Sequence, residues 1–186
     1  RYFDGSVHQD IEDVWDEAEG FDFVFGSSSL DDLNLPSGAG DSRFLFDKSR
    51  AAFRAGLVIG DDWDEPNRGY GSFAAGVNTV ASGAYSVVGG GTDNIATAGG
   101  SACLSGISNA ATADRSVVVS GASNSVSGNS SAVVSGEQNE VRQIFSAVLS
   151  GASNVSTEPF SVVVSGQENE VHGSGSVVLA GNENII

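Results

Sequence analysis

Three ladders of identical residues, each repeating every 15 positions, dominate the sequence. Serine recurs at Ser86, Ser101, Ser116, Ser131, Ser146, Ser161 and Ser176, glycine at Gly91, Gly106, Gly121, Gly136, Gly151, Gly166 and Gly181, and asparagine at Asn94, Asn109, Asn124, Asn139, Asn154, Asn169 and Asn184. A fixed period of this kind predicts one structural unit per repeat. A shorter step joins Ser72 to Ser86, so we expect the first unit to begin near Tyr70.

Each repeat predicts one coil of a parallel β-solenoid, also called a β-roll. The first position of the repeat is serine, the second is alanine or valine, the third is valine, and the fourth is valine or leucine. Serine and glycine follow, and the remainder is mostly polar. The valines favour a strand, and glycine and asparagine suit tight corners. A helix is disfavoured because β-branched runs interrupted by glycine have no 3.6-residue period. About eight coils stacked at ~4.8 Å would form an all-β rod roughly 35–40 Å long.

The alternation of side chains along a strand divides each repeat between two faces. Counting the ladder serine as position zero, we predict that positions one and three fill the coil interior. Position two is then expected outside, as an apolar stripe of Val88, Cys103, Val118, Val133, Val148, Val163 and Val178. Because contiguous exposed apolar surface usually marks a contact site, this prediction implies that the wall faces another copy of the chain.

The region before the repeats is predicted to form a small cap. We divide the chain into an acidic, β-rich cap or lead-in over residues 1–69 and a β-roll head over residues 70–186. Alternating apolar residues predict three strands, one containing Phe21, Phe23 and Phe25, one containing Phe44 and Phe46, and one containing Phe53, Ala55, Leu57 and Ile59. An amphipathic turn is predicted from the spacing of Ile11, Val14 and Trp15. A loop is predicted for residues 27–41, which are rich in serine, glycine and aspartate.

Composition excludes several partners. The net charge of −16 would repel the phosphates of a nucleic acid. No apolar run approaches the ~18 residues of a membrane span, so we expect no membrane contact by this segment. The single cysteine, Cys103, permits no intrachain disulfide. Because the chain opens at Arg1 and contains no methionine, we interpret it as a piece of a longer protein whose export signal and anchor lie elsewhere.

Three segments resemble the YadA-like heads of trimeric autotransporter adhesins and related bacterial or phage fibres. The segment from Asn78 to Ser86 is similar to the short repeats of those heads, and residues 42–56 and 63–76 are similar to the segments that precede them. The resemblance covers about residues 42–186. It implies a left-handed parallel β-roll, assembled as a homotrimer and carried on a surface fibre. The repeat of those heads usually has 14 residues, whereas this one has 15.

No residue pattern indicates catalysis, a metal site or a cofactor, and we predict that the chain is not an enzyme. The acidic run Asp61–Glu65 lacks the spacing of a calcium-binding loop, so a solvated turn is favoured. His8 and His172 lie far apart in the chain and are interpreted as surface residues. The ladder serines are interpreted as a structural device, because a nucleophile needs a base and an oxyanion hole in one place.

Two segments interrupt the repeat and are the candidates for recognition. One contains Arg142 and Phe145, and the other contains Glu158 and Phe160. Both fall just before a ladder serine, so the two phenylalanines occupy equivalent positions in neighbouring coils. They could contact a ligand or pack between subunits, and the apolar character of the side chains favours packing.

Three classes of function stay open at this point. The first is an adhesin at the head of an extracellular, cell-surface fibre, which binds a host, prey or matrix ligand, either glycan or protein. The second is a phage tail-fibre segment with the same physical requirements. The third is an ice-binding solenoid, which the predicted outward serine, valine, serine rung makes less favourable.

Overall fold

The computed structural model of the chain describes residues 2–3, 8–9, 23–25 and 40–186. The amphipathic turn predicted around Ile11, Val14 and Trp15 lies outside the described residues, as does Phe21 and most of the loop predicted for residues 27–41. Across the described ranges the chain is almost entirely strand and turn, with one short 3-10 turn at Glu65–Asn67.

The N-terminal part is β-rich, as predicted. Strands β1 (Tyr2–Phe3) and β2 (His8–Gln9) pair antiparallel with each other. Strands β3 (Phe23–Phe25), β4 (Gly40–Asp47) and β5 (Ala52–Ile59) form a second antiparallel group. Strand β5 then pairs in parallel with β6 (Phe73–Val77), so this group is part of the same sheet as the repeats.

The repeats form a parallel β-solenoid of about seven coils, which confirms the predicted fold class. Each regular coil contributes two short strands. The remaining strands are β7 (Val80–Ala81), β8 (Val87–Val88), β9 (Ile95–Ala96), β10 (Ala102–Cys103), β11 (Ala110–Ala111), β12 (Val117–Val118), β13 (Ser125–Val126), β14 (Ala132–Val133), β15 (Glu140–Val141), β16 (Ala147–Val148), β17 (Val155–Ser156), β18 (Val162–Val163), β19 (Glu170–Val171) and β20 (Val177–Val178). Every pairing between regular coils joins residues 15 apart, as in Val118 with Val133.

These strands make two sheets on opposite sides of the coils. The long sheet has eleven strands and runs from β20 through the even-numbered strands to β6, then β5, β4 and β3. The short sheet has seven strands, the odd-numbered ones from β19 to β7. In each coil, one residue that comes after the long-sheet strand in the chain forms a single-residue β-bridge to the next coil, as Ala122 does with Glu137.

The prediction of which residues face inward was wrong for the long sheet. Position two, expected outside, is fully buried inside the coil and forms the core together with inward residues of the short sheet. The core consists of Ala74, Ala81, Val88, Ala96, Cys103, Ala111, Val118, Val126, Val133, Val141, Val148, Val163, Val171 and Val178. The ladder serine is buried as well, and it shares a face with position two because strand side chains alternate. Positions one and three therefore point outward.

Buried asparagines form a continuous hydrogen-bonded column along the solenoid. The Asn124 side-chain oxygen accepts from the backbone N–H of Asn139 and from its side-chain amide, each at 3.0 Å. The Asn139 amide also donates to the carbonyl of Gly151 at 2.9 Å. The same contacts recur one coil later, where Asn154 donates to Asn139. Each asparagine thus satisfies buried backbone groups in its own and neighbouring coils, which a buried corner requires.

The ladder glycines are required by a close approach between coils. At Gly136 the backbone has a φ of +110°, and an added Cβ would lie 2.0 Å from the carbonyl oxygen of Gly151. A side chain would clash with the backbone of the next coil and strain the corner as well. This explains why glycine stands at the same place in all seven repeats.

The first coil is closed by charged and aromatic side chains of the N-terminal part. The buried guanidinium of Arg54 donates to the carbonyl of Ala81 at 2.9 Å and to the hydroxyl of Ser72 at 3.0 Å. Burial and the nearby Arg68 charge lower the pKa of Arg54 to about 10, partly offset by Asp47. The buried Trp63 donates its indole N–H to the carbonyl of Thr79. These contacts cover the backbone edge and the core of the first coil, which the end of a solenoid would otherwise expose.

We expect that Asn139→Ala will lower the free energy of unfolding by at least about 2 kcal/mol, because it leaves buried donors and acceptors of two neighbouring coils unpaired. Urea denaturation measures the change. Asn129→Ala is the matched control, because the Asn129 side chain is exposed, and it should leave stability within about 0.5 kcal/mol. Equal effects of the two substitutions would contradict a structural role for the column.

Candidate functional site

The outer surface of the long sheet is apolar along the whole solenoid. It is formed by positions one and three of each coil, and we call it the apolar face. In the coils its members are Val87, Ala102, Leu104, Val117, Val119, Ala132, Val134, Ala147, Leu149, Val162, Val164, Val177 and Leu179. Val134 and Leu149 keep 39% and 40% of their surface exposed, so these side chains are not part of the chain's own core.

Phenylalanines extend the apolar face onto the N-terminal strands. The backbone register aligns Phe46 with Phe53, Phe53 with Phe73 and Phe73 with Val87. The ring of Phe53 stacks on that of Phe73 with centroids 5.2 Å apart, and it meets the ring of Phe44 edge-on at 4.8 Å. The apolar face thus spans ten strands, from β4 to the last strand of the long sheet, which corresponds to roughly 40 Å.

The outer surface of the short sheet is mixed, since it carries apolar Ile95, Ala110 and Val155 beside polar and charged residues. Arg142 forms a bidentate ion pair with Glu140, in which its Nε and Nη2 atoms each lie 2.7 Å from a carboxylate oxygen. These hydrogen bonds lower the pKa of the Glu140 carboxyl and raise the pKa of Arg142. Two coils further on, His172 lies 3.1 Å from a carboxylate oxygen of Glu170. These charged side chains are half-exposed, so the short sheet carries charge on its outer surface where the long sheet of the coils carries only apolar side chains.

The two phenylalanines named as recognition candidates do come together. Phe145 and Phe160 stack with ring centroids 5.4 Å apart and planes inclined by 17°, and each exposes more than half of its surface. They lie at the corner between the short and long sheets, with Ile144 and Pro159 beside them. We call these four residues the aromatic corner.

The two charged candidates have different surroundings. Arg142 is held by Glu140 on the outer surface of the short sheet. The backbone carbonyl of Glu158 accepts hydrogen bonds from the hydroxyls of Ser146 and Ser161, at 2.9 and 2.7 Å. Arg142 lies three residues before Phe145, and Glu158 lies two residues before Phe160, so each flanks the aromatic corner on its own coil.

Potentially reactive side chains are used structurally. Five of the seven ladder serines donate to corner carbonyls, as Ser116 does to the carbonyl of Ala113 at 2.6 Å, whereas the buried hydroxyl of Ser86 has no hydrogen-bond partner. The thiol of Cys103 is buried in the core, donates to the carbonyl of Ile95, and has its pKa raised to about 11 by burial. In the parts of the chain that the structure describes, no three histidine, cysteine or acidic side chains lie together as a metal site would need. The acidic run Asp61–Glu65 forms a turn and the start of the 3-10 turn, and Glu65 pairs with Arg50.

The apolar face is the main feature that sequence reasoning assigned to the wrong residues. The signal was present, because the ladder serine belongs to a column of polar residues that is regular enough to be internal. A surface position would not need the same serine in every coil, and its neighbour two places along shares its face. The closure of the first coil by Arg54 was also missed, since nothing in the sequence distinguishes this arginine from a surface one.

Comparisons with known proteins add no further assignment. No protein-family model matches the chain, and neither curated proteins nor solved structures include a similar one. Among the described residues, none of the helical segments has the length and apolar character needed to cross a membrane.

Adjacent valines provide a test of which side chains face inward. We expect Val133→Asp to unfold the chain, because it buries an unpaired carboxylate in the core, at a cost that exceeds about 4 kcal/mol. Val134→Asp should keep the circular dichroism of the wild type, because that position is exposed in the single chain. A folded Val133→Asp variant together with an unfolded Val134→Asp variant would reverse the assignment.

Proposed function

We propose that the chain is the head segment of an extracellular, trimeric cell-surface fibre and that it acts as an adhesin. The observation that carries the proposal is the apolar face, which runs without interruption along the rod. The segments that resemble YadA-like heads, from Asn78 to Ser86 and over residues 42–56 and 63–76, support the same conclusion.

The apolar face supports assembly with further copies of the same chain. Contiguous exposed apolar surface of this extent is unusual for a soluble monomer and marks an interaction surface. A second copy presents rungs at the same ~4.8 Å spacing, so side chains at positions one and three can interdigitate along the full length. Three copies related by a threefold axis would cover each apolar face in a closed assembly.

The remaining surface suits ligand binding better than ice binding. The charged residues of the short sheet and the net charge of −16 keep the rod dispersed, and they leave a repetitive outer surface available to a ligand on a host, prey or matrix. An ice-binding surface would need a regular outward array of small hydroxyl side chains. The outward column of Thr97, Thr112, Ser127 and Thr157 is interrupted by Arg142, so ice binding is disfavoured.

We expect Leu149→Asp to dissociate the trimer, because three carboxylates would be placed in an apolar seam where desolvation and mutual repulsion oppose assembly. Sedimentation velocity measures the change in mass. Ser127→Asp, on the outer surface of the short sheet, introduces the same charge and should leave the trimer intact. A monomeric wild type, or a trimeric Leu149→Asp variant, would remove the main support for the assembled fibre.

Adhesion itself is tested with beads that carry the wild-type chain or its Leu149→Asp variant at equal density. Multivalent presentation should make wild-type beads attach to cells or extracellular matrix at least about tenfold more strongly than variant beads. If wild-type beads attach to none of the surfaces tried, the adhesin function is contradicted. That result does not bear on the trimer, which sedimentation tests separately.

A further inference from the structure

The aromatic corner occupies a backbone position that is poorly suited to phenylalanine. Residues just before the ladder serines have positive φ in every regular coil, and Phe145 and Phe160 have values of +55° and +59°. Glycine, which adopts this conformation without strain, occupies the same place at Gly100 and Gly175. The corner imposes this conformation on whichever residue stands there, as on Arg115 and Ser130, so it does not by itself require an aromatic side chain.

The two rings contribute little to the chain's own packing. Their exposed fractions are 56% and 57%, whereas every valine at position two in the same region is fully buried. The next residue of the column after Phe160 is Gly175, and no atom lies within 4 Å of the point where its Cβ would be. No side chain at that position covers Phe160, so both rings are open to solvent in the single chain.

Charge limits the ligand that such a surface can accept. Glu140 and Glu158 lie on the coils that carry the two phenylalanines, and Glu170 lies on the next one. Together with the net charge of −16, these carboxylates repel an anionic polymer. The ion pair of Arg142 with Glu140 places fixed, half-exposed donors and acceptors on the same coil as Phe145. The surface therefore combines exposed aromatic rings with neutral hydrogen-bonding capacity.

We propose that the aromatic corner binds an uncharged polysaccharide, whose C–H faces contact the rings of Phe145 and Phe160 while its hydroxyls bond the neighbouring polar side chains. The electron-rich face of an aromatic ring attracts the weakly positive C–H groups of a sugar. This inference rests on the proposed adhesin function and assigns its ligand class and site.

The test is binding of the assembled wild-type chain to immobilised neutral hexasaccharides of glucose, mannose and N-acetylglucosamine, with hyaluronan as the anionic control. We expect binding to at least one neutral hexasaccharide and none to hyaluronan. The double variant Phe145→Leu/Phe160→Leu should reduce the affinity at least tenfold. Tyr85→Leu is the matched control: Tyr85 stands at the same coil position, but its ring meets that of Tyr70 edge-on and not in a stack, so the pair offers no two parallel faces to a sugar chain and the variant should bind as the wild type does.

The proposal is overturned if no neutral hexasaccharide is bound or if hyaluronan is bound equally well. It is also overturned if the double variant keeps the wild-type affinity or if Tyr85→Leu loses it. A Phe160→Trp reporter supplies a second measurement. Its fluorescence in the assembled protein should be quenched by acrylamide, and shielding would show that a second copy covers the corner and would also overturn the proposal. A double variant that stays trimeric and adherent refutes the sugar site alone, whereas a monomeric or non-adherent wild type refutes the proposed function.

Discussion

The structure depends on the hydrogen bonds of the buried asparagine column. Backbone hydrogen bonds join adjacent coils along both sheets, but they leave groups at the corner without a backbone partner, such as the buried N–H of Asn139. Each asparagine supplies the missing partners, as Asn139 does by donating to Asn124 Oδ1 and to the Gly151 carbonyl and by accepting from Asn154. Because every asparagine must meet the one before it, the column fixes the 15-residue register. The glycine corner follows from the same stacking, since adjacent coils approach too closely there for a Cβ.

A coil held this way has a narrow core, to which each sheet contributes one small inward side chain. The narrow core explains why apolar side chains are also found outside. Position two fills the interior with valine, leaving positions one and three outside on the long sheet. Valine and leucine at those positions gain nothing from the chain's own core, whereas the short sheet carries charged residues such as Glu140 and Arg142 outside. The contrast between the two outer faces is the physical basis for proposing that the apolar face is covered by further copies and that the short sheet faces solvent.

The sequence was sufficient to predict the solenoid, its coil length and the strands at Phe44–Phe46 and Phe53–Ile59, because these follow from periods that local chemistry sets. It did not determine which side of the strand points inward, because both sides of the long sheet are apolar and alternation alone is symmetric. The serine that recurs in every repeat, as at Ser131, is the sequence feature that breaks this symmetry, and its burial identifies the inward side. The pairing of Phe145 with Phe160 followed from their 15-residue separation, whereas the Arg142–Glu140 pair depended on side-chain geometry.

Hydrogen exchange of the asparagine side-chain amides, measured by NMR, tests the central claim most directly. Asn109, Asn124, Asn139, Asn154 and Asn169 are buried, whereas Asn129 and Asn182 are exposed in the same protein and serve as internal references. If the column holds the coils together, the five buried amides exchange as slowly as the backbone N–H groups of the neighbouring strands, while the two exposed references exchange much faster. Side-chain amides of the column that exchange as fast as Asn129 would show that the column does not hold the coils together.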